Sequence, residues 1–305
     1  MDKTGCLKNS FRPLIFASGI CGVFPLKFNK NSISVSVIGI IHGVINVMLM
    51  AYVYIVMNTY TPTGSSFEYV LYTITSRVLP LLTMAIPVFF ICHVKSFSRV
   101  LSYVFNHSNI IKSKSFFIYI FRFLAAEIIF VQIFLIYCQK PSSFENLLNF
   151  EFMFHTIVWN IFNNIAVIVS LWYFVILMVL CEIFNEINRA IKNFNSEFFE
   201  LEISKNRIFQ NIEKLKEILM LVNLYKNACD ACDLANKSFG VSATAHTAYL
   251  ILSLASTLYS ILNYSFDLCL LGFNLVLYTS TEYLVLFSCQ QVVKEVSGDL
   301  NNYLR

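Results

Sequence analysis

Six long apolar stretches constrain this chain more than any other feature of its sequence. About 20 apolar residues are needed for a helix to cross the ~30 Å hydrocarbon core of a bilayer. A backbone in lipid must satisfy its own hydrogen bonds, and the strands of membrane barrels are shorter and alternate in polarity. The sequence therefore predicts an all-α, polytopic membrane helix bundle, a single domain over residues 1–305. Its six spans cover residues 32–57, 69–94, 116–138, 152–181, 239–264 and 268–289.

The composition agrees with a membrane protein. Hydrophobic residues make up 57% of the chain and charged residues 13%, against about 25% charged residues in soluble domains. A shorter apolar run, residues 14–24, follows basic residues in the manner of a signal peptide. It lacks a small-x-small cleavage site, and Pro25, Lys27 and Lys30 come directly after it. We expect an interfacial segment that leads into the first span.

The basic residues predict the orientation of the spans, because Lys and Arg in short loops face the cytoplasm. Outside the spans, alternate compartments receive nineteen and one of these residues, and the single exception is Lys140. Both termini are thus predicted to be cytoplasmic. Asn106 and Asn236 lie in N-x-S acceptor sequences, and this orientation keeps both away from the glycosylation machinery.

The loop between the fourth and fifth spans is predicted to be helical rather than a flexible linker. Its apolar positions step by three and four residues, which draws one stripe along a helix. Gly240 is followed by no helix-breaking sequence, so this helix is expected to continue into the fifth span. Residues 182–194 are expected to extend the fourth span in the same way. Two such extended helices predict a packed cytoplasmic bundle over residues 182–238, with contacts between subunits as an option.

A C-x-x-C pair lies on this stripe. Cys229 and Cys232 could belong to a metal site, a redox pair or a packed helix seam. Structural zinc takes four ligands, commonly from two such pairs, and the sequence holds no second pair. Cys289 is the nearest further candidate. The predicted reducing environment disfavours disulfides, so we expect cysteines packed in a seam, with no metal and no cofactor.

Two segments resemble sequences of the insect gustatory receptors. "LVNLYKNACDACDLANKSFG" (residues 221–240) is similar to the segment that precedes the fifth span of that family, including its N-x-x-F-G ending at Asn236, Phe239 and Gly240. "LIFASGICGVFPLKF" (residues 14–28) resembles the family's Gly-x-x-Pro entry to the first span. The order of spans and the cytoplasmic N-terminus agree as well.

The resemblance implies a function and an assembly. It implies a multi-pass receptor of the cell membrane, a subunit of a tetrameric, ligand-gated cation channel that recognises small-molecule tastants. The partners would be the tastant, the lipid bilayer and other copies or other receptor subunits, with no nucleic acid. The family's T-Y and Q-F signature of a seventh, pore-lining span is only partly matched by "TEYLVLFSCQQVVKEV" (residues 281–296). We therefore expect the seventh span to be missing, and a truncated, non-conducting or regulatory subunit is the alternative.

One face of the fourth span is the candidate ligand-binding site. His155, Trp159, Phe162 and Asn163 recur at helical spacing in its first half, which is the outer half in the predicted orientation. The resemblance implies ligand binding in that half, and aromatic walls with a few hydrogen-bonding groups suit small ligands. The alternative is that these groups hold helices together, as polar residues do in membranes.

Two charged residues are predicted to pair inside the bundle. Arg77 lies in the second span and Glu127 near the middle of the third. An ionised side chain at the bilayer centre costs about 2.5–3.5 kcal/mol on insertion scales. We expect a structural ion pair between Arg77 and Glu127.

Other classes of membrane protein fit the sequence less well. A G-protein-coupled receptor has the opposite orientation, and its D-R-Y and N-P-x-x-Y strings do not occur. A transporter shows paired repeats with interrupted helices, and none is visible. Neither H-E-x-x-H nor G-x-S-x-G occurs, so no catalytic residues and no enzyme activity are predicted.

Overall fold

Helices account for nearly all of the chain that the structure describes. The computed structural model describes residues 14–28, 33–57, 70, 73, 77–107, 150–201, 207–263 and 268–298. About 93% of them are α-helical. This content is compatible with the predicted all-α membrane bundle.

The described part consists of six helices and one small hairpin. Helix α1 covers residues 14–21. Strands β1 (Leu26–Phe28) and β2 (Ile33–Val35) follow as an antiparallel pair. The remaining helices are α2 (Val37–Met57), α3 (Leu79–Asn106), α4 (Phe150–Leu201), α5 (Arg207–Asn263) and α6 (Leu268–Gly298).

The hairpin is a departure from the predicted helices, because the first span was expected to begin at residue 32. Ser36 explains where α2 begins instead. Its hydroxyl accepts a hydrogen bond from the backbone N–H of Gly39 at 3.1 Å, and its carbonyl accepts one from Ile40 at 3.0 Å. A serine that binds the third N–H of a helix is a strong N-terminal cap. The backbone N–H of Ser36 in turn donates to the carbonyl of Pro25 at 2.8 Å, which holds α2 against the segment before it.

Three helical stretches of the described part are long and apolar enough to cross a membrane. They are Val37–Val56, Pro80–Val104 and Val167–Asn193. They overlap the predicted first, second and fourth spans, and they are compatible with a membrane protein. The predicted third span, residues 116–138, lies outside the described residues. The predicted fifth and sixth spans are helical in α5 and α6, and their crossing of a membrane stays a prediction.

Helix α4 forms the centre of the bundle. Helices α2, α3, α5 and α6 all pack against it, and α5 also packs along α3. Every α4 side chain from Val167 to Leu177 is buried, so the helix is covered on all sides. A helix that is apolar around its whole circumference is expected at the centre of a bundle.

Two helices are much longer than a bilayer is thick. Helix α4 has 52 residues and α5 has 57, which correspond to about 78 Å and 85 Å at 1.5 Å per residue. Helix α5 continues through Gly240 without a break, as the apolar spacing predicted. Helix α4 extends past the fourth span as expected, and it continues seven residues beyond the predicted residue 194, to Leu201. Both helices therefore extend well beyond any single crossing of the membrane.

Candidate functional site

The predicted ligand-binding residues lie in the first third of α4. His155, Trp159, Phe162 and Asn163 are in continuous helical backbone, so their spacing places them on one side of the helix. Their side chains lie outside the part of the chain that the structure describes. The ligand-binding role therefore stays a prediction.

Only one residue of the predicted ion pair lies in the part of the chain that the structure describes. Arg77 is half-buried and lies in a helical turn just before α3. Glu127 lies outside the described residues, so the pair with Arg77 stays a prediction.

Six aromatic rings from four parts of the chain meet in the described bundle. We call this group the aromatic cluster, and all six of its side chains are buried. Its members are Phe24 after α1, Phe90 and Phe97 on α3, Trp172 and Tyr173 on α4, and Phe239 on α5.

Phe239 lies at the middle of the aromatic cluster. Its ring centroid is 5.1 Å from that of Phe97 and 5.3 Å from that of Phe90, both edge-on. It stacks on Tyr173 at 5.2 Å. Phe24 is inserted from the other side, stacked on Phe97 at 4.3 Å and edge-on to Trp172 at 5.6 Å. Such pairs contribute about 0.5–1.5 kcal/mol each beyond the burial of their area.

Hydrogen bonds tie the N-terminal segment, residues 14–28, to the bundle beside the aromatic cluster. The indole N–H of Trp172 donates to the hydroxyl of Ser18 at 2.7 Å, across 154 residues of sequence. The side-chain amide of Asn46 on α2 donates to the carbonyl of Ile20 at 2.9 Å. The N-terminal segment is thus part of the packed core and not a loose tail.

Glycines allow this close approach. Gly22 has a φ of 65°, a left-handed backbone conformation that favours glycine. A Cβ on Gly43 would lie 2.6 Å from the carbonyl oxygen of Gly22, and one on Gly39 would lie 2.8 Å from the Cα of Pro25. Gly39 and Gly43 form a G-x-x-x-G pair, a spacing that lets backbones pack closely in membranes.

The cysteine pair lies just below the aromatic cluster on α5, on the predicted cytoplasmic side. Cys229 and Cys232 are half-buried free thiols, and the Cys229 thiol is hydrogen-bonded to the Tyr225 hydroxyl one turn away. Burial raises the pKa of the Cys232 thiol to about 12, and burial also raises the pKa of Cys229. A thiol with a raised pKa is largely protonated at neutral pH and is therefore a poor nucleophile.

No metal site is formed in the described part of the bundle. There, no three His, Cys, Asp or Glu side chains are grouped so as to hold an ion. The thiol of Cys289 on α6 is hydrogen-bonded to Tyr173 of α4. It does not form a ligand set with Cys229 and Cys232. The packing role of the cysteine pair stays a prediction.

Hydrogen bonds and one aromatic pair connect helices α4, α5 and α6 outside the aromatic cluster. Thr247 donates a hydrogen bond to a carboxylate oxygen of Glu282 at 2.6 Å. Further from the aromatic cluster, the side-chain amide of Asn188 on α4 donates to the backbone carbonyl of Glu295 on α6 at 3.1 Å. On the same side, Phe184 of α4 meets Tyr225 of α5 edge-on at 5.5 Å. These contacts join α4, α5 and α6 into one three-helix unit beyond the aromatic cluster.

Two features of the sequence are signals for the packing of the N-terminal segment. The G-x-x-x-G pair of Gly39 and Gly43 marks a surface for close packing. Trp172 inside an apolar span requires a hydrogen-bond acceptor for its indole N–H, and that acceptor is Ser18. Neither feature identifies the residue that it contacts, because in both cases the contacting residue lies in a separate segment of the chain.

No protein-family model matches the chain, and no curated protein matches it.

Proposed function

We propose that the chain is a chemosensory receptor subunit of the insect gustatory type, acting in taste perception as part of a ligand-gated cation channel of the cell membrane. The observation that carries the proposal is the segment of residues 221–240, with its N-x-x-F-G ending at Asn236, Phe239 and Gly240. The contacts of Phe239 support the proposal, because this residue joins α3, α4 and the N-terminal segment in the aromatic cluster. A motif residue at such a junction is coupled to three elements at once.

Assembly with other subunits is the second part of the proposal. Leu215, Leu219 and Val222 form one apolar face on the first half of α5, and all three are exposed. In the predicted orientation this face lies in the cytosol, where full burial of such a side chain is worth about 1.5–3 kcal/mol. We infer that it is covered by other subunits, copies of this chain or related receptors, in a tetramer.

The ligand site is the third part. The aromatic and polar face of α4 formed by His155, Trp159, Phe162 and Asn163 is proposed to bind a small tastant in the outer half of the bundle. Stacking on the rings together with hydrogen bonds would suit a sugar. The rings alone would suit an apolar bitter compound.

A non-conducting or regulatory subunit of such a receptor is a second candidate function. Tyr283, Leu286 and Val293 are exposed along one side of α6. This apolar surface is available to a further helix, which a partner subunit can supply. The aromatic cluster and the three-helix unit are common to both candidates.

Electrical recording tests both candidates. The chain would be expressed alone and together with a complete gustatory receptor subunit, and currents evoked by sucrose, fructose, quinine and caffeine would be recorded. We expect ligand-evoked currents from the pair that differ from those of the complete subunit alone. Trp159→Ala is expected to raise the half-maximal concentration about tenfold, since an aromatic contact of this kind is worth about 1 kcal/mol.

Tyr52→Ala is the matched control, because Tyr52 is an exposed aromatic residue of a different helix, α2. It should leave the half-maximal concentration unchanged. Currents from the chain alone would exclude the non-conducting candidate. Surface-expressed complexes that give no altered response to any of these compounds would contradict the receptor proposal.

A further inference from the structure

The outward face of α3 changes from apolar to basic along its length. Leu81, Ala85, Val88 and Cys92 are exposed at steps of four and three residues, which forms one stripe along the helix. The same stripe continues with Lys95 and Arg99, both exposed. An apolar stripe suits contact with acyl chains, and two cations one turn apart at its end suit the headgroup layer.

Exposed apolar residues also lie next to a basic residue at the start of α2, but here the basic residue comes first in the sequence. Val37, Ile38 and Ile41 are exposed apolar residues in the first turns of α2. Lys27, exposed in strand β1, precedes them in the hairpin. The lipid-facing surface of α2 therefore also ends at a basic side chain.

The hairpin connects these two basic ends. The hydroxyl of Ser98, next to Arg99, donates to the carbonyl of Ile33 in β2 at 3.2 Å. Ile33 lies opposite Phe28 in the antiparallel register, and Ser34 lies opposite Lys27. Lys27, Lys95 and Arg99 thus belong to one rim at one end of the bundle, which we call the basic rim.

No negative charge competes for the basic rim within the described N-terminal half. Residues 14–28, 33–57 and 77–107 contain no Asp or Glu. Over the first 127 residues of the sequence, acidic residues occur only at Asp2, Glu68 and Glu127. The rim has positive charge, an adjoining apolar surface and an open position, and these are complementary to an anionic amphiphile.

We propose that the basic rim of Lys27, Lys95 and Arg99 binds the phosphate-bearing headgroup of an anionic phospholipid whose acyl chains lie along the stripe of α3 and the first turns of α2. Long basic side chains extend along apolar surface and keep their charge in the headgroup layer. Each such charge strengthens binding to an anionic membrane surface about fivefold. The binding rests on the membrane placement of α2 and α3 in the proposed function.

The test uses the purified full chain in a neutral detergent, titrated with phosphatidylserine or with phosphatidylcholine of the same acyl chains. Native mass spectrometry counts the bound lipids. We expect a preference for phosphatidylserine that weakens at high salt, because screening reduces interactions of exposed charges. Lys27→Gln, Lys95→Gln and Arg99→Gln should each lower that preference about fivefold. Lys216→Gln and Lys226→Gln, which neutralise exposed lysines of α5, should leave it unchanged.

Equal binding of the two lipids by the native chain would overturn the proposal. The same holds for a triple rim variant that keeps its preference, or for α5 variants that lose as much as the rim variants. Gel-filtration elution of each variant shows whether it is folded. Carbonate extraction of the expressed chain from membranes separates the two proposals. A chain that stays integrated but shows no lipid preference contradicts only the lipid site, whereas a chain that is fully extracted contradicts the membrane placement as well.

Discussion

At the scale of single residues, Phe239 contacts four of the five other rings in the aromatic cluster. Its spacing placed it on the apolar stripe of α5, so its burial could be predicted from the sequence. Its partners could not, because Phe24, Phe90 and Tyr173 are contributed by remote segments and no local pattern encodes a long-range contact. The same limit applies to Ser18 and Trp172. Their hydrogen bond could not be predicted from the sequence, because 154 residues separate them.

Phe239→Ala is expected to destabilise the fold strongly. Phe239 is 0% exposed, and removing a buried phenylalanine ring typically costs about 3–5 kcal/mol, because it leaves a cavity. Thermal unfolding of the purified chain in detergent, followed by tryptophan fluorescence, would measure the loss.

Phe287→Ala is the matched control for that measurement. Phe287 is 38% exposed on α6, and substitutions at exposed sites usually stay within about 0.5 kcal/mol. An equal loss of stability in both variants would contradict the central role assigned to Phe239.

At the scale of elements, the long helices were predictable and the hairpin was not. The apolar spacing of residues 208–239 indicated a helix that continues into the next span, and α5 has that form. The strands β1 and β2 are three residues each, too short for any periodic pattern. The cap at Ser36 was not predicted, because the apolar run begins before this residue and gives no sign of a helix start there. Length and hydropathy therefore predicted the long helices, whereas they did not predict the hairpin or the residue at which α2 begins.

The exposed face of α5 leads to a prediction about assembly. Leu219→Gln should weaken subunit association about tenfold, since it removes one apolar side chain from the proposed interface. Counting photobleaching steps of a fluorescent fusion at low expression would report the number of subunits in each complex.

Met220→Gln provides the control for the assembly experiment. Leu219 and Met220 are 62% and 63% exposed, but consecutive residues are 100° apart around a helix. Met220 therefore lies off the apolar face, and its substitution should leave the subunit count unchanged. A smaller count with Met220→Gln, or an unchanged count with Leu219→Gln, would argue against this interface.

At the scale of the whole molecule, the contacts agree with a bundle of antiparallel spans. Phe97 and Phe239 lie within three residues of a predicted span end on the basic side, Phe24 lies eight residues before another, and their rings touch in the aromatic cluster. The charge count placed these ends on one side of the membrane. The contacts join the ends to each other, whereas the compartment that they face is a matter for experiment.

Glycosylation provides that experiment. Asn106 and Asn236 are expected to carry no sugar in the native chain, because the predicted orientation keeps both in the cytosol. Gly64→Asn completes an N-S-S acceptor with Ser65 and Ser66 in the predicted outer loop. This variant should gain mass that a glycosidase removes. Sugar on Asn106 or Asn236 in the native chain would reverse the orientation.

The unbroken course of α5 has a mechanical consequence. Helix α5 is continuous from Arg207 to Asn263 and contains no proline there, the residue that most often kinks a helix. A displacement at one end of such a helix is therefore expected to be transmitted along its length. Because α5 has 57 residues, a small tilt at one end would displace the other end, about 85 Å away, by a much larger distance.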